Sequence, residues 1–286
     1  MSGCYTLLAF SSAVDIVARH SLIPKFHVTL RLPSDIRAQP NQFLHWLSRC
    51  NGIYWVSGKP GSGKSTLMKY LCDHERTKTT LQEWAGTLTL VTGSYFFWSA
   101  GTEMQKSQQG LLQSLLCEML RQCPYLIPIV VPSRWDDLQT HKSPHYLSRS
   151  WNRKELMGAF ERLIQLKVTS AKFCFLVDGL DEYEGDHREI IDILNKFTTS
   201  ANVKICLASR PWNVFQETYG QNDRRLLKLQ DLTESDIRSY VRNKLEEKRY
   251  FCFVGKNGQP LSRSCQRNRG EGRWCFSLGS ACGSVI

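Results

Sequence analysis

The chain has 286 residues (32.9 kDa), 42% hydrophobic and 22% charged, a balance that sustains a buried core and excludes wholesale disorder. No run approaches the ~18 apolar residues of a membrane span, and the N-terminus MSGCYTLLAF lacks the basic residues of a secretory leader. The formal charge is +11, but residues 1–40 hold four Lys/Arg against two Asp/Glu and residues 251–286 five against one; with over half the excess at the ends and no Lys/Arg stripe on a helix face, specific nucleic-acid binding is not expected.

Residues 1–40 contain one candidate helix, 12–23, before Pro24, Pro33 and Pro40, a proline density typical of a lead-in. Asn41 then reads as the cap of a short amphipathic helix carrying Phe43, Leu44, Trp46 and Leu47. Residues 53–57 form a β-rich run, followed by a glycine loop and a helical pattern from Lys64. Residues 88–98 are strand-like, and 107–123 place Leu111, Leu112, Leu115, Leu116, Met119 and Leu120 at helical spacing. Residues 124–150, rich in Pro, Ser and His, read as a long surface excursion. A helix over 154–166 precedes the apolar run 173–177, which ends in an acid; a helix over 188–197, a strand over 203–208 and a candidate strand over 226–229 follow. A further helix restarts over 232–245, with Thr233 as cap and Asp236 three residues on. Short apolar strands alternating with helices predict a three-layer α/β/α domain with a mostly parallel central sheet. No internal repeat is present.

The sharpest motif is Gly58-Lys59-Pro60-Gly61-Ser62-Gly63-Lys64-Ser65, which fits G-x-x-x-x-G-K-[ST] at every fixed position. Glycines let successive backbone N–H groups turn inward on phosphate oxygens, and the helix N-terminus adds partial positive charge. Lys64 would reach the β/γ-phosphates and Ser65 would ligate Mg²⁺; Thr66 completes the nucleotide-binding set. The bland alternative is a chance glycine turn, against which the flanking strand and helix argue.

Magnesium on phosphates needs a carboxylate at a strand end. Asp178 follows the apolar run 173–177, and Gly179-Leu180-Asp181-Glu182 comes next. Asp178 is the metal-side acid; Asp181 is the first candidate for positioning or activating water and Glu182 the second. A solvated acidic loop is the alternative. In the third element, Ser209-Arg210-Pro211 ends a strand, and Arg210 is suited to reach a γ-phosphate; alone it would equally be a surface arginine before a turn.

Trp46, Tyr54, Trp55, Tyr95, Phe96, Phe97 and Trp98 are better read as core than as base-stacking platforms. The eleven cysteines include no C-x-x-C pair and the seven histidines no paired ligand spacing, so a reducing cytoplasm and no metal beyond Mg²⁺ are expected. Cys72, Cys117, Cys174 and Cys206 lie on apolar faces and read as buried and inert.

Taken in order, GIYWVSGKPGSGKSTLMKYL, SYFFWSAGTEMQKSQQGLLQSLLCEML, FCFLVDGLDEYEGD, KICLASRPW and LLKLQDLTESDIRSYVRNKLEE resemble the NACHT class of STAND P-loop NTPases. These are NLR-like signalling ATPases, here of the filamentous-fungal kind with a nephrocystin-type N-terminal P-loop module. The resemblance spans about residues 41–248. It implies ATP, or GTP, with Mg²⁺, slow hydrolysis, and a nucleotide-controlled switch between closed monomer and open oligomer. It also implies that the Ser209-Arg210 strand lies between the phosphate-loop and Asp178 strands. Asp178 to Glu182 would be the family's Walker B, with glycine where many ATPases carry a catalytic glutamate.

The ends depart from the family pattern. Residues 1–40 are too few for an effector domain and read as a poorly defined lead-in; 41–230 is the NTPase domain, 231–248 the start of a truncated helical domain, and 249–286 an aberrant, disordered tail. Back-translated with allowed codons and read one nucleotide later, residues 264–284 can give AAKEIVEKADGVSLWVQLVVR, which resembles the family's next helical segment. The expectation is a frame slip between Glu247 and Ser264, tested by the genomic sequence across those codons. The functional expectation is a cytoplasmic nucleotide-binding switch module; the alternative is a scaffold-only or non-functional fragment. A small-molecule P-loop kinase is disfavoured, because no acceptor-substrate lid is apparent.

Overall fold

The computed structural model describes residues 38–140, 150–166, 170–231, 265–267 and 274–276. The chain divides into two units, 1–233 and 234–286. In the first, five strands form one sheet: β1 (Gly52–Ser57), β2 (Thr89–Phe96), β3 (Ala171–Asp178), β4 (Val203–Ser209) and β5 (Leu226–Lys228). The order is β2-β3-β4-β1-β5 and every pairing is parallel. The Ser209-Arg210 strand therefore lies between those bearing the phosphate loop and Asp178, as the resemblance implies.

The strands sort their side chains by the two-residue repeat of extended chain. Ile53 and Trp55, Phe173, Phe175 and Val177, and Val203, Ile205 and Leu207 face one core. It is covered by α4 (Gln108–Gln122), α7 (Arg153–Gln165), α8 (His187–Phe197) and α9 (Asn213–Tyr219). Tyr54 and Val56, Cys174 and Leu176, and Cys206 and Ala208 face the other, under α1 (Ala38–Arg49), α2 (Lys64–Asp73) and α3 (Glu75–Ala85). Both faces being covered explains why β3 and β4 are apolar almost throughout. The architecture is α/β/α in three layers. Of the aromatic cluster, Trp46, Tyr54, Trp55, Tyr95, Phe96 and Phe97 are buried in these cores.

Caps set the helix boundaries. Ser107, Asn152 and Asp186 each accept a backbone N–H from the first turn of α4, α7 and α8. Two boundary expectations need correction. Helix α1 begins at Ala38, so Asn41 lies within it and is not its cap. Pro40 falls in the first turn, where N–H groups have no intrahelical partner, so a missing one costs nothing.

The expected surface excursion is also wrong over 124–140. A 3₁₀ turn Pro124–Leu126 leads into α5 (Ile127–Val130) and α6 (Pro132–Thr140), with Leu126, Ile127, Val130 and Val131 buried. Pro124, Pro128 and Pro132 again occupy starting turns, where proline directs a helix rather than breaking it. Arg134 of α6 is buried, paired with Glu155 of α7 (Nε 2.5 Å, Nη2 3.0 Å) and stacked 3.7 Å from the Trp151 ring centroid. The candidate helices over 12–23 and 232–245 lie outside the described residues. In the second unit β6 (Cys265–Arg267) and β7 (Trp274–Phe276) pair antiparallel, within a tail expected to be disordered. No described helix is long and apolar enough to cross a membrane.

The sheet ends at β2, and an edge strand exposes pairing groups. Gln122 covers part of it: its Nε2 donates to the Thr92 carbonyl (2.6 Å) and its Oε1 accepts the Thr92 N–H (3.2 Å). Gln122→Ala is expected to cost ~1 kcal/mol, the net worth of such bonds, and to raise self-association through the bared edge. Urea denaturation and light scattering measure the two effects; an unchanged midpoint would mean water replaces the amide at no cost.

Candidate functional site

Three chain segments leave the carboxyl edge of adjacent parallel strands, where α/β sheets place their ligands. Ser57, the last residue of β1, pairs with Ser209, the last of β4, and the Gly58 N–H donates to the Ser209 carbonyl (3.2 Å). Asp178 ends β3 opposite Phe96, and its carbonyl accepts the Phe97 N–H (2.9 Å). Trp55 donates its indole N–H to Ser209 Oγ (2.9 Å), tying β1 to β4 immediately below the loop.

The loop from Gly58 to Lys64 turns on Gly61 and Gly63, whose φ values of 75° and 88° suit glycine. Gly63 is the N-cap of α2, and its carbonyl accepts the first helical bond, from Leu67 N (2.9 Å). Open space surrounds both glycines where a Cβ would stand, whereas a Cβ on Gly58 would lie 2.4 Å from Ser62 Oγ. Ser62 Oγ is buried and makes no hydrogen bond. Lys59 and Pro60 are exposed at the rim; Ser65 and Thr66 are half-buried on the first turn of α2. Lys64 Nζ folds back to donate to the carbonyls of Gly58 (2.6 Å) and Lys59 (3.2 Å).

The acids converge on this ammonium. Burial pushes the Lys64 pKa down; Asp181, Asp178 and Glu182 oppose that shift, while Arg210 adds to it. The phosphate loop, the acidic turn and the arginine lie side by side on the ends of β1, β3 and β4, joined by the Gly58–Ser209 and Arg210–Asp181 bonds. Asp178 is fully buried. Gly179 takes the left-handed conformation (φ 70°) and turns the chain out of β3 into the 3₁₀ turn Leu180–Glu182. That glycine explains the D-G-x-D-E pattern sterically: the turn brings Asp181 back under the β4 terminus. Asp181 Oδ1 accepts the Arg210 N–H (2.9 Å) and Oδ2 faces Arg210 Nε (3.0 Å). Glu182 Oε2 accepts the Ser99 N–H (2.9 Å) from the loop after β2.

Ser99 and the Trp55–Ser209 bond have no counterpart in the sequence reading. Neither residue type is distinctive, and the partners lie 83 and 154 positions apart. His187 likewise belongs to no motif. Its ring packs edge-on against Tyr183, Trp212 and Phe215, joining the acidic turn to the segment after Arg210. Burial pushes the His187 pKa down, against the pull of Asp181 and Asp186.

These residues suit a magnesium–nucleoside triphosphate. The loop has an open mouth above two glycines, an unengaged buried hydroxyl and a positioned ammonium, and a buried carboxylate stands at the next strand but one. A family model described as nephrocystin 3, N-terminal, matches residues 37–210. The chain belongs to the nephrocystin-3 N-terminal family. Within that family it is a P-loop NTPase module, with the motif on the turn between the first strand and its helix.

No curated protein matches the chain. Among solved structures it is similar to a chain in the structure of Drosophila ORC bound to DNA (14% identity, TM-score 0.43, covering 77% of this chain and 48% of that one). It is also similar to Cdc6p from Pyrobaculum aerophilum (12% identity, TM-score 0.40, covering 81% and 53%). The chain thus spans about half the length of those two.

Proposed function

We propose that this chain is the nucleotide-binding switch module of a NACHT/STAND-type signalling NTPase, taking a nucleoside triphosphate, ATP before GTP as the candidate, with Mg²⁺. The observation that carries the reading is that the glycine loop with Lys64, the carboxylate of Asp178 and the Asp181–Arg210 pair all stand at the carboxyl edge of three adjacent parallel strands. In this reading Gly58 to Thr66 wrap the phosphates with backbone N–H groups. Lys64 binds the β/γ-phosphates, Ser65 and Asp178 hold the metal, and Arg210 reports the terminal phosphate. Asp181 and Glu182 are the acids available to orient water. Bound Mg²⁺ supplies charge neutralisation across the β- and γ-phosphates.

A switch needs occupancy more than turnover, so hydrolysis is expected below roughly 1 s⁻¹, the low end of ordinary enzymes. The family likeness adds a cytoplasmic setting, an NLR-like role in fungal innate immunity or heterokaryon incompatibility, and self-oligomerisation to the proposal. Calorimetric titration of ATP with and without Mg²⁺ tests the site. Chelation is expected to weaken ATP binding to the wild type about tenfold and to have less than a twofold effect on Asp178→Asn. Equal sensitivity of both proteins to chelation would remove Asp178 from the metal. No ATP or GTP binding by the wild type would leave the scaffold-only reading.

A further inference from the structure

The acidic turn contains a carboxylate whose two oxygens already have a task. The Asp181 side chain is only 3% exposed, with Oδ1 on the Arg210 backbone N–H and Oδ2 on Arg210 Nε. Asp181 thereby pairs with a guanidinium that is itself 43% exposed. A group that activates water must turn an oxygen lone pair toward it, in reach of a bound substrate. Asp181 turns both oxygens toward Arg210.

A charge-assisted bond to the Nε of an arginine is strong and directional, so a γ-phosphate recruiting Arg210 must displace it. The backbone bond from Arg210 N and the ring contacts of Trp212 with His187 and Phe215 hold the main chain in place. The exchange is then confined to the side chain.

We propose that Asp181 is a positioning residue that competes with the terminal phosphate for Arg210, so that it sets how strongly the site prefers a triphosphate over a diphosphate. This inference rests on the nucleotide-switch reading above and reassigns Asp181 within it, leaving Glu182 as the acid for water.

The test is a double-mutant cycle on the full chain, with Mg²⁺-ATP and Mg²⁺-ADP titrated by calorimetry. Asp181→Asn keeps a side-chain oxygen for the Arg210 N–H and removes the charge on Nε. It is expected to tighten ATP binding about fivefold and to change ADP binding less than twofold. In an Arg210→Ala background the same substitution is expected to change neither. A gain that persists without Arg210 would be general charge removal and would overturn the proposal. So would an unchanged ATP/ADP ratio accompanied by a tenfold loss of turnover, which would mark Asp181 as the group on water.

Should Asp181→Asn fail to fold, the wild type still answers. The Arg210 Nε–H resonance, assigned by Arg210→Lys, is expected to shift with Mg²⁺-ATP and not with Mg²⁺-ADP. Equal response to both nucleotides would overturn the competition. Absence of any nucleotide binding by the wild type is a separate outcome that overturns the switch reading and this inference together.

Discussion

Lys64→Ala is expected to lower Mg²⁺-ATP affinity about 100-fold while leaving the protein folded. The ammonium is positioned in advance by the Gly58 and Lys59 carbonyls at the mouth of the loop. Three nearby carboxylates favour its charged form against burial. Charge-assisted hydrogen bonds are worth ~1.5–3 kcal/mol each; losing contacts to two phosphates is then ~3 kcal/mol, or about two decades in Kd.

Stability should change little. Alanine carries no helix-propensity penalty; the released Lys59 carbonyl lies at the exposed rim and regains water, while the carbonyl of buried Gly58 loses one bond worth ~1 kcal/mol. The melting temperature is expected to stay within about 3 °C, a change of ~1 kcal/mol in a domain of this size. Calorimetry and thermal melting on the same preparations separate the two effects. Equal ATP affinity in variant and wild type would dismiss this loop as the nucleotide site.

The strands that carry the site are legible because each is a largely apolar run with one chemical signal at its carboxyl end: Gly58 after β1, Asp178 at the end of β3, Arg210 after β4. Burial on both faces produces such runs, and the parallel sheet then aligns their ends. What stayed hidden has particular causes. Helix α3, ERTKTTLQEWA, buries Thr77, Leu81, Trp84 and Ala85 and is otherwise polar, so its periodicity is faint. In 124–140 three prolines mask a 3₁₀ turn and two helices whose first turns they occupy.

Within the site, residue types pointed to carboxylates, an ammonium and a guanidinium at one edge. They did not indicate which carboxylate would meet which cation. That depends on Gly179, whose left-handed turn brings Asp181 beneath Arg210 and leaves Glu182 toward Ser99. The choice between water and arginine as the partner of Asp181 is a matter of a few ångströms across residues 29 positions apart, which no local pattern records.

Lys204, a charged residue in the middle of β4 that belongs to no motif, carries the second large expectation. Lys204 is 0% exposed. Its Nζ donates to the carbonyls of Trp46 (2.9 Å) and Leu47 (2.8 Å), in the last turn of α1, where a cation meets the negative end of the helix dipole. Its ammonium also lies 4.8 Å from the Trp46 ring centroid and 4.0 Å from that of Trp84. These contacts bind α1 and α3 to the strand that leads to Arg210.

Burial nevertheless pushes the Lys204 pKa down to about 8 from 10.5. A base with a lowered folded-state pKa disfavours folding fully below about pH 8, where both states are charged. The penalty fades as pH rises toward 10.5, because the unfolded chain then holds more of the proton. Lys204→Met conserves volume but leaves the Leu47 carbonyl without this donor, at ~2 kcal/mol near pH 7. Other titrating groups, the buried cysteines among them, are common to both proteins and cancel in the difference. The stability gap between wild type and Lys204→Met is therefore expected to widen by about 2 kcal/mol between pH 7 and pH 10, from the size of the shift at 1.36 kcal/mol per unit. Urea denaturation of both proteins at pH 7, 8.5 and 10 measures it. A gap constant across that range would mean that the lysine carries its proton in the folded state as easily as in water, and that the contacts to α1 compensate its burial completely.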